Sequence, residues 1–228
     1  MELNIFFDNY KKLVEAADKV FEEIKTKYPD CVTCKIECSD CCHALFDIGF
    51  VEAFYINKKF REKFKGAELD LLLEKANRTD RQVHKLKKNA YKEYKDGKDE
   101  TAIIEEMAEK RIRCPMLNES DRCDIYEFRP ITCRLYGVPT SIGGKGHTCG
   151  LSGFVKGQSY PTVNLDIIHN ALYEISTQMI KHMGSKYTGL PEMLVPLSMA
   201  LITIYDDEYL GIENEEKKDE TIKEKARK

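Results

Sequence analysis

The chain has 228 residues, 42% of them hydrophobic and 33% charged, with a formal net charge of −3. That length supports one good core and is marginal for two, and the composition is that of a soluble globular protein rather than a disordered one. Basic residues are matched by acids, so the charge balance gives no reason to expect a nucleic-acid partner, and the charged side chains read as solvated helix faces.

The opening residues, MELNIFFDNYKK, have an acid at position 2 and no basic start before a long apolar run, so they do not read as a secretory signal. Apolar side chains then recur at Leu3, Phe7, Tyr10, Val14, Ala17, Phe21, Ile24 and Tyr28. These steps of four and three line one face of a helix, and Phe6, Leu13 and Val20 widen the stripe. Pro29 ends that helix, and a cysteine-rich stretch, CVTCKIECSDCC, follows at once. Residues 48–64 read as helical, with Val51, Phe54 and Tyr55 on one side. Residues 67–95 predict a long helix with Leu69, Leu72, Ala76, Val83, Leu86, Ala90 and Tyr94 near one face and Gly97 as its stop. A further helix is expected from Asp99 to Ile112.

From Arg113 to Tyr160 the periodicity breaks down, and the stretch holds four more cysteines and most of the glycines. It reads as irregular structure organised by something other than a periodic core. Helical spacing returns at Leu165, Ile168, Leu172, Ile175 and Met179, and a last helix is expected within residues 191–209. The longest apolar stretch, Met193 to Tyr205, is too short to span a bilayer and is broken by Pro196. The tail from Glu213, ENEEKKDETIKEKARK, is charged and expected to fray. The expected fold is therefore mostly α: a single metal-binding domain over residues 1–212, with amphipathic helices framing irregular Cys-rich loops, and a charged tail over 213–228.

On this reading the protein is cytoplasmic, where thiols stay reduced. A dense cysteine cluster there holds metal rather than disulfides, and the total of nine cysteines is odd. The candidate ligands are Cys31, Cys34, Cys38, Cys41 and Cys42 in the first segment, and Cys114, Cys123, Cys133 and Cys149 in the second. Thiolates converge on soft metals, and two-residue gaps let a turning backbone aim both sulfurs at one centre. Adjacent Cys41 and Cys42 tend to point apart, so they can serve two metals, or one of them can be a non-ligand. Eight ligands and a spare could build two four-thiolate sites; four ligands with structural cysteines could build one. Cys149, isolated between Thr148 and Gly150, reads equally well as a small buried hydrophobe.

Zinc favours paired C-x2-C knuckles, whereas iron–sulfur clusters use looser arrangements, often with a proline after a ligand, as at Cys114-Pro115. Ligands far apart in sequence favour an iron–sulfur cluster, expected as 4Fe–4S, with zinc as the alternative. Cys34-x3-Cys38-x2-Cys41 has the spacing of the radical S-adenosylmethionine motif. It departs from that motif at Asp40, where an aromatic residue is usual, and the helical pattern does not supply the expected barrel.

CKIECSDCC followed by CPMLNESDRCDIYEFRPITCRLYG resembles the YkgJ-type cysteine-cluster family of zinc- or iron-chelating domains. The residues that carry the resemblance are Cys41, Cys42, Cys114, Cys123, Ile125, Tyr126, Arg129, Pro130, Cys133 and Arg134. It covers roughly residues 31 to 150. Many members read C-x2-C-x2-C-C, and this chain reads C-x2-C-x3-C-x2-C-C, which leaves the roles of Cys31 and Cys34 open. The resemblance implies metal binding. Flagellin lysine N-methylases look similar in cysteine pattern, and for them an iron–sulfur cluster with S-adenosylmethionine is implied.

Arg129 and Arg134 flank Cys133 and can offset thiolate charge, bind a carboxylate of substrate or cofactor, or simply pack and cap. His43 and His147 stand next to cysteines as further ligand candidates, and Glu52 and Asp47 as bases, although nothing marks those two as a catalytic pair. No hydrolase triad, dinucleotide fingerprint or basic-aromatic nucleic-acid surface is present in the sequence. Two functional classes follow. One is a cytoplasmic iron–sulfur protein with a redox or cluster-dependent catalytic role, as an oxidoreductase or a methyltransferase acting on a protein or small-molecule substrate. The other is a zinc-stabilised binding module without catalysis.

Overall fold

A computed structural model describes residues 2–35 and 37–212; the charged tail, 213–228, lies outside the described residues. Helix α1 (Asn4–Lys27) buries Phe6, Phe7, Tyr10, Ala17 and Ile24 along the stripe set by its sequence spacing. It stops where the Tyr28 amide bonds to Ile24 O at 2.8 Å and Pro29 follows. Helix α2 (Phe50–Lys63) is buried on two sides. Phe50 and Val51 join a first core with α1, α5 (Ile131–Leu135) and α6 (Leu165–Met183). Ala53, Ile56 and Phe60 join a second core with α3 (Gly66–Lys95) and α7 (Leu197–Ile202). The second core also takes Met116 and Ile125 from the irregular region. Helix α2 is thus the wall between two cores.

Two small sheets tie the loops down. Strand β1 (Asp47–Gly49) pairs antiparallel with β5 (Leu194–Pro196) through Ile48 and Val195. Strands β2 (Thr140–Ile142) and β3 (Lys145–His147) form a hairpin whose turn needs Gly143 and Gly144, at φ 53° and 76°. Strand β4 (Val163–Asn164) adds parallel to β2.

The first long helices sit where the periodicity predicts them, and two expected elements are shorter. Helix α4 (Glu100–Ala108) stops before Ile112 because the chain leaves to pair with the first cysteine segment: Ala44 bridges Arg111, and the Ile112 amide bonds to His43 O at 3.0 Å. Helix α7 ends at Ile202 where buried Asn57 Nδ2 donates to the carbonyls of Ala200, Leu201 and Thr203 at 2.9–3.0 Å. Along α3 the apolar stripe is buried only as far as Val83, and Tyr91 and Tyr94 beyond it are exposed. Among the described residues no helix is long and apolar enough to cross a membrane.

Candidate metal centre

The first cysteine segment is a series of turns. Cys31 and Val32 continue the end of α1, both amides bonding to Tyr28 O. The Cys38 amide bonds to Lys35 O at 2.9 Å, and a 3-10 turn, Asp40–His43, then carries Cys41 and Cys42. The second segment runs alongside: the Cys114 amide donates to Cys42 O at 2.7 Å. From Cys114 the chain loops back to Cys123 around the side chain of Asn118. Its Oδ1 accepts from the amides of Ser120 and Arg122, and its Nδ2 donates to Asp124 Oδ1. Asp121, at φ 53°, makes the reversal, and Leu117 bridges Cys123.

Cys133 is in α5, whose first amide, Ile131 N, is held by Glu52 Oε1 at 2.8 Å; the same oxygen accepts from Tyr10 OH at 2.9 Å. Glu52 is 2% exposed and therefore sets α5 against α1 and α2. Cys149 is buried, with its thiol 3.4 Å from Asp40 Oδ2 and accepting from the Leu151 amide at 3.4 Å. Arg111 binds the Asp40 carboxylate and also donates to Tyr136 OH at 3.3 Å.

These turns place eight of the nine cysteines on the wall of one cavity of about 700 Å³: Cys34, Cys38, Cys41, Cys42, Cys114, Cys123, Cys133 and Cys149. Cys31 is not on that wall. It packs against the first core, and its carbonyl accepts from the Gly153 amide at 2.8 Å. All nine cysteines are free thiols. Among the described residues no three cysteine, histidine or carboxylate side chains are already drawn in to metal-ligand spacing; the thiols ring a space.

The electrostatics favour a cation in that space. Burial pushes Cys34 up to about 11 and Cys114 up to about 12, with neighbouring thiols adding to both shifts. Burial, then Cys41, Cys114 and Cys123, raise Cys133 well above the ordinary thiol range. Burial also raises Cys149. Interaction with Cys123 and Cys41, more than burial, raises Cys42, and the same interaction lowers Cys41, to about 7, and Cys123. Each thiolate here is opposed by the next, and a soft cation removes that opposition by accepting charge from all of them. The donor set fits zinc or iron on chemical grounds.

Of the flanking residues, Arg129 lies on the cavity wall over the Tyr126 ring at 3.8 Å, donates to Tyr126 O at 2.8 Å, and lowers Cys41 and Cys123 through its charge. Arg134 also edges the cavity, but it is 7% exposed, and its guanidinium donates to Asp18 Oδ2 at 2.6 Å, to Arg129 O at 3.1 Å and to Glu127 O. It holds the loop between α1 and α5. Neither His43 nor His147 lines the cavity; a His43 ring nitrogen pairs with Ser39 O at 3.0 Å, and His147 is exposed on β3. Asp47 pairs with Lys87 at 2.6 Å, and with Glu52 it lines a separate cavity of about 280 Å³.

Sequence reasoning gave no site role to Asp40, Arg111, Tyr136 or Gly137. Asp40 entered only as a departure from the radical motif, and Tyr136 and Gly137 only as the last two residues of the CRLYG run. A Cβ at Gly137 would stand 2.1 Å from Cys34 Sγ, so that sulfur occupies the space a side chain would need.

A family model described as "CxxCxxCC: Putative zinc- or iron-chelating domain" matches residues 31–150, a little over half of the chain and the whole span from Cys31 to the glycine after Cys149. No curated protein and no solved structure matches the chain.

Proposed function

Since this chain belongs to the CxxCxxCC family of zinc- or iron-chelating domains, we propose that its cavity thiols hold iron–sulfur chemistry rather than a lone zinc ion, and that the space beside them takes a substrate. One observation carries this reading: eight thiols face one cavity of about 700 Å³. A tetrahedral zinc site needs four sulfurs about 2.3 Å from one point and no space beyond them. Liquid water takes about 30 Å³ per molecule, so this cavity has the size of twenty or more waters. When bound, an iron–sulfur cluster supplies one-electron chemistry, tuned by net charge, hydrogen bonds to sulfur and solvent access.

The chain's own residues have separable tasks in this proposal. The cysteines supply the ligands. Arg129 offsets their charge from the rim and presents its remaining N–H donors to a carboxylate. Arg134 keeps the Cys133 loop in place, its donors being committed to Asp18, Arg129 and Glu127. The apolar side chains of Phe46, Val83 and Leu197, which share the cavity wall, limit water around the thiols. Similarity to flagellin lysine N-methylases in cysteine pattern supports methyl transfer from S-adenosylmethionine as the reaction, with Arg129 holding the carboxylate of that cofactor.

The test is anaerobic purification followed by iron, zinc and acid-labile sulfide analysis, then electron paramagnetic resonance of the reduced protein with and without S-adenosylmethionine. Brown protein with iron and sulfide, and a signal that shifts on adding the cofactor, is the expected result. Colourless protein holding zinc and no sulfide overturns the iron–sulfur reading. An iron–sulfur signal that S-adenosylmethionine does not move, with no binding by calorimetry, overturns methyl transfer alone.

A further inference from the structure

The eight cavity thiols divide by the cores that support them. Cys114 and Cys123 pack against the second core, at the two ends of the Asn118 loop. Cys42 is tied to that loop by the 2.7 Å bond from the Cys114 amide to its carbonyl, and Cys123 is the thiol that perturbs its own most. Cys133 joins them from α5; its thiol neighbours are Cys41 first, then Cys114 and Cys123. Cys34 belongs to the other side. It packs against the first core, its sulfur sits against Gly137, and its thiol neighbours are Cys38, Cys149 and Cys41. Cys149 is drawn to the same side by Asp40, the residue before Cys41.

Cys41 lies between the groups and is near both. It shares the 3-10 turn Asp40–His43 with Cys42. Successive side chains on such a turn leave the axis about a third of a turn apart, so one turn can send neighbouring thiols to different centres. Four thiolates complete a tetrahedral zinc site or a four-iron cluster. With Cys41 the second-core group would have one thiol too many; without Cys41 the first-core group would have one too few.

We infer that the cavity holds two metal centres, one on Cys42, Cys114, Cys123 and Cys133, and the other on Cys34, Cys38, Cys41 and Cys149. This rests on the cavity being a metal site, as proposed above. It does not depend on whether the metal is iron or zinc, because each set of four suits either. Cys31, off the wall, belongs to neither centre.

The experiment uses the full chain, freed of metal and titrated anaerobically with Co²⁺, whose thiolate charge-transfer absorption reports each site. Two equivalents are expected before absorption saturates in the native chain and in Cys31→Ser. One equivalent is expected in Cys34→Ser/Cys149→Ser and in Cys114→Ser/Cys123→Ser, and none in the fourfold variant. Circular dichroism confirms helix content in each variant. If one pair fails to fold, the native end point and the other pair still decide. Saturation of the native chain at one equivalent, or loss of all absorption from a folded two-cysteine variant, overturns the division while leaving the metal site standing. No cobalt–thiolate absorption in the native chain overturns both.

Discussion

Gly137→Ala tests how tightly the first-core thiols are placed. The new Cβ would lie 2.1 Å from Cys34 Sγ and 3.4 Å from Phe21 Cε2. Non-bonded heavy atoms settle about 3.5–4.0 Å apart, so the sulfur has to retreat by roughly 1.5 Å. Gly137 is not among the glycines with positive φ, so alanine adds no backbone strain. The stability cost is the overpacking alone, about 1–3 kcal/mol, offset by the roughly 0.4–1 kcal/mol that replacing glycine removes from unfolded-chain entropy. Net destabilisation should therefore be about 0–2.5 kcal/mol, and the chain should still fold. Ligation is far less tolerant, because metal–ligand distances hold to about 0.2 Å. Gly137→Ala should consequently lose the centre that includes Cys34, about half of the bound metal, while keeping its helix content and a cooperative unfolding transition. Metal-to-protein ratio after anaerobic reconstitution, with urea denaturation of the same preparation, measures both. Full metal content at unchanged affinity would refute the placement of Cys34 against Gly137 or its role as a ligand.

Four further outcomes are expected. Burial raises the Glu52 carboxyl above the ordinary range, while bonds from Ile131 and Tyr10 and the charge of Arg134 act the other way. A raised folded value means Glu52 contributes stability below its unfolded pKa and loses it as pH rises through its folded pKa. Glu52→Gln, which keeps an acceptor for both donors, should flatten that decline in urea titrations across the carboxylate range and above it; an identical pH profile would count against the assignment. Glu52→Ala strands Tyr10 OH and the Ile131 amide and should cost about 1–3 kcal/mol for each. Cys34 at about 11 and Cys114 at about 12 are protonated at neutral pH, so metal must displace those protons. Chelator competition should show affinity falling roughly tenfold per unit drop in pH for each proton displaced, and equal affinity at pH 6 and 8 would argue against thiol ligation there. Finally, stripping the metal should speed proteolysis within residues 113–160, whose loops carry Cys114, Cys123, Cys133 and Cys149 on the cavity wall; equal resistance with and without metal would show that this region is ordered without it.

The helices were legible because periodic burial is a local property: the stripe from Leu3 to Tyr28 predicts α1, and the spacing from Leu165 to Met179 predicts α6. The family motif was equally legible, since spacing and residue type along one stretch of chain carry it. Which thiols share a space was not. Cys31 stands three residues from Cys34, yet bonds to Tyr28 O continue the end of α1 and leave it off the cavity wall, while Cys149 reaches Asp40 from more than a hundred residues away. Arg134 likewise reads equally as a ligand-binding or a packing guanidinium until Asp18, on the N-terminal helix, takes it. Glu52 and Ile131 meet across 79 residues to start the helix that carries Cys133. Local spacing records how a segment turns, and so it shows helices and gathered cysteines. The partner of a buried donor or thiol is decided where separate elements pack, and no short stretch of sequence contains that information.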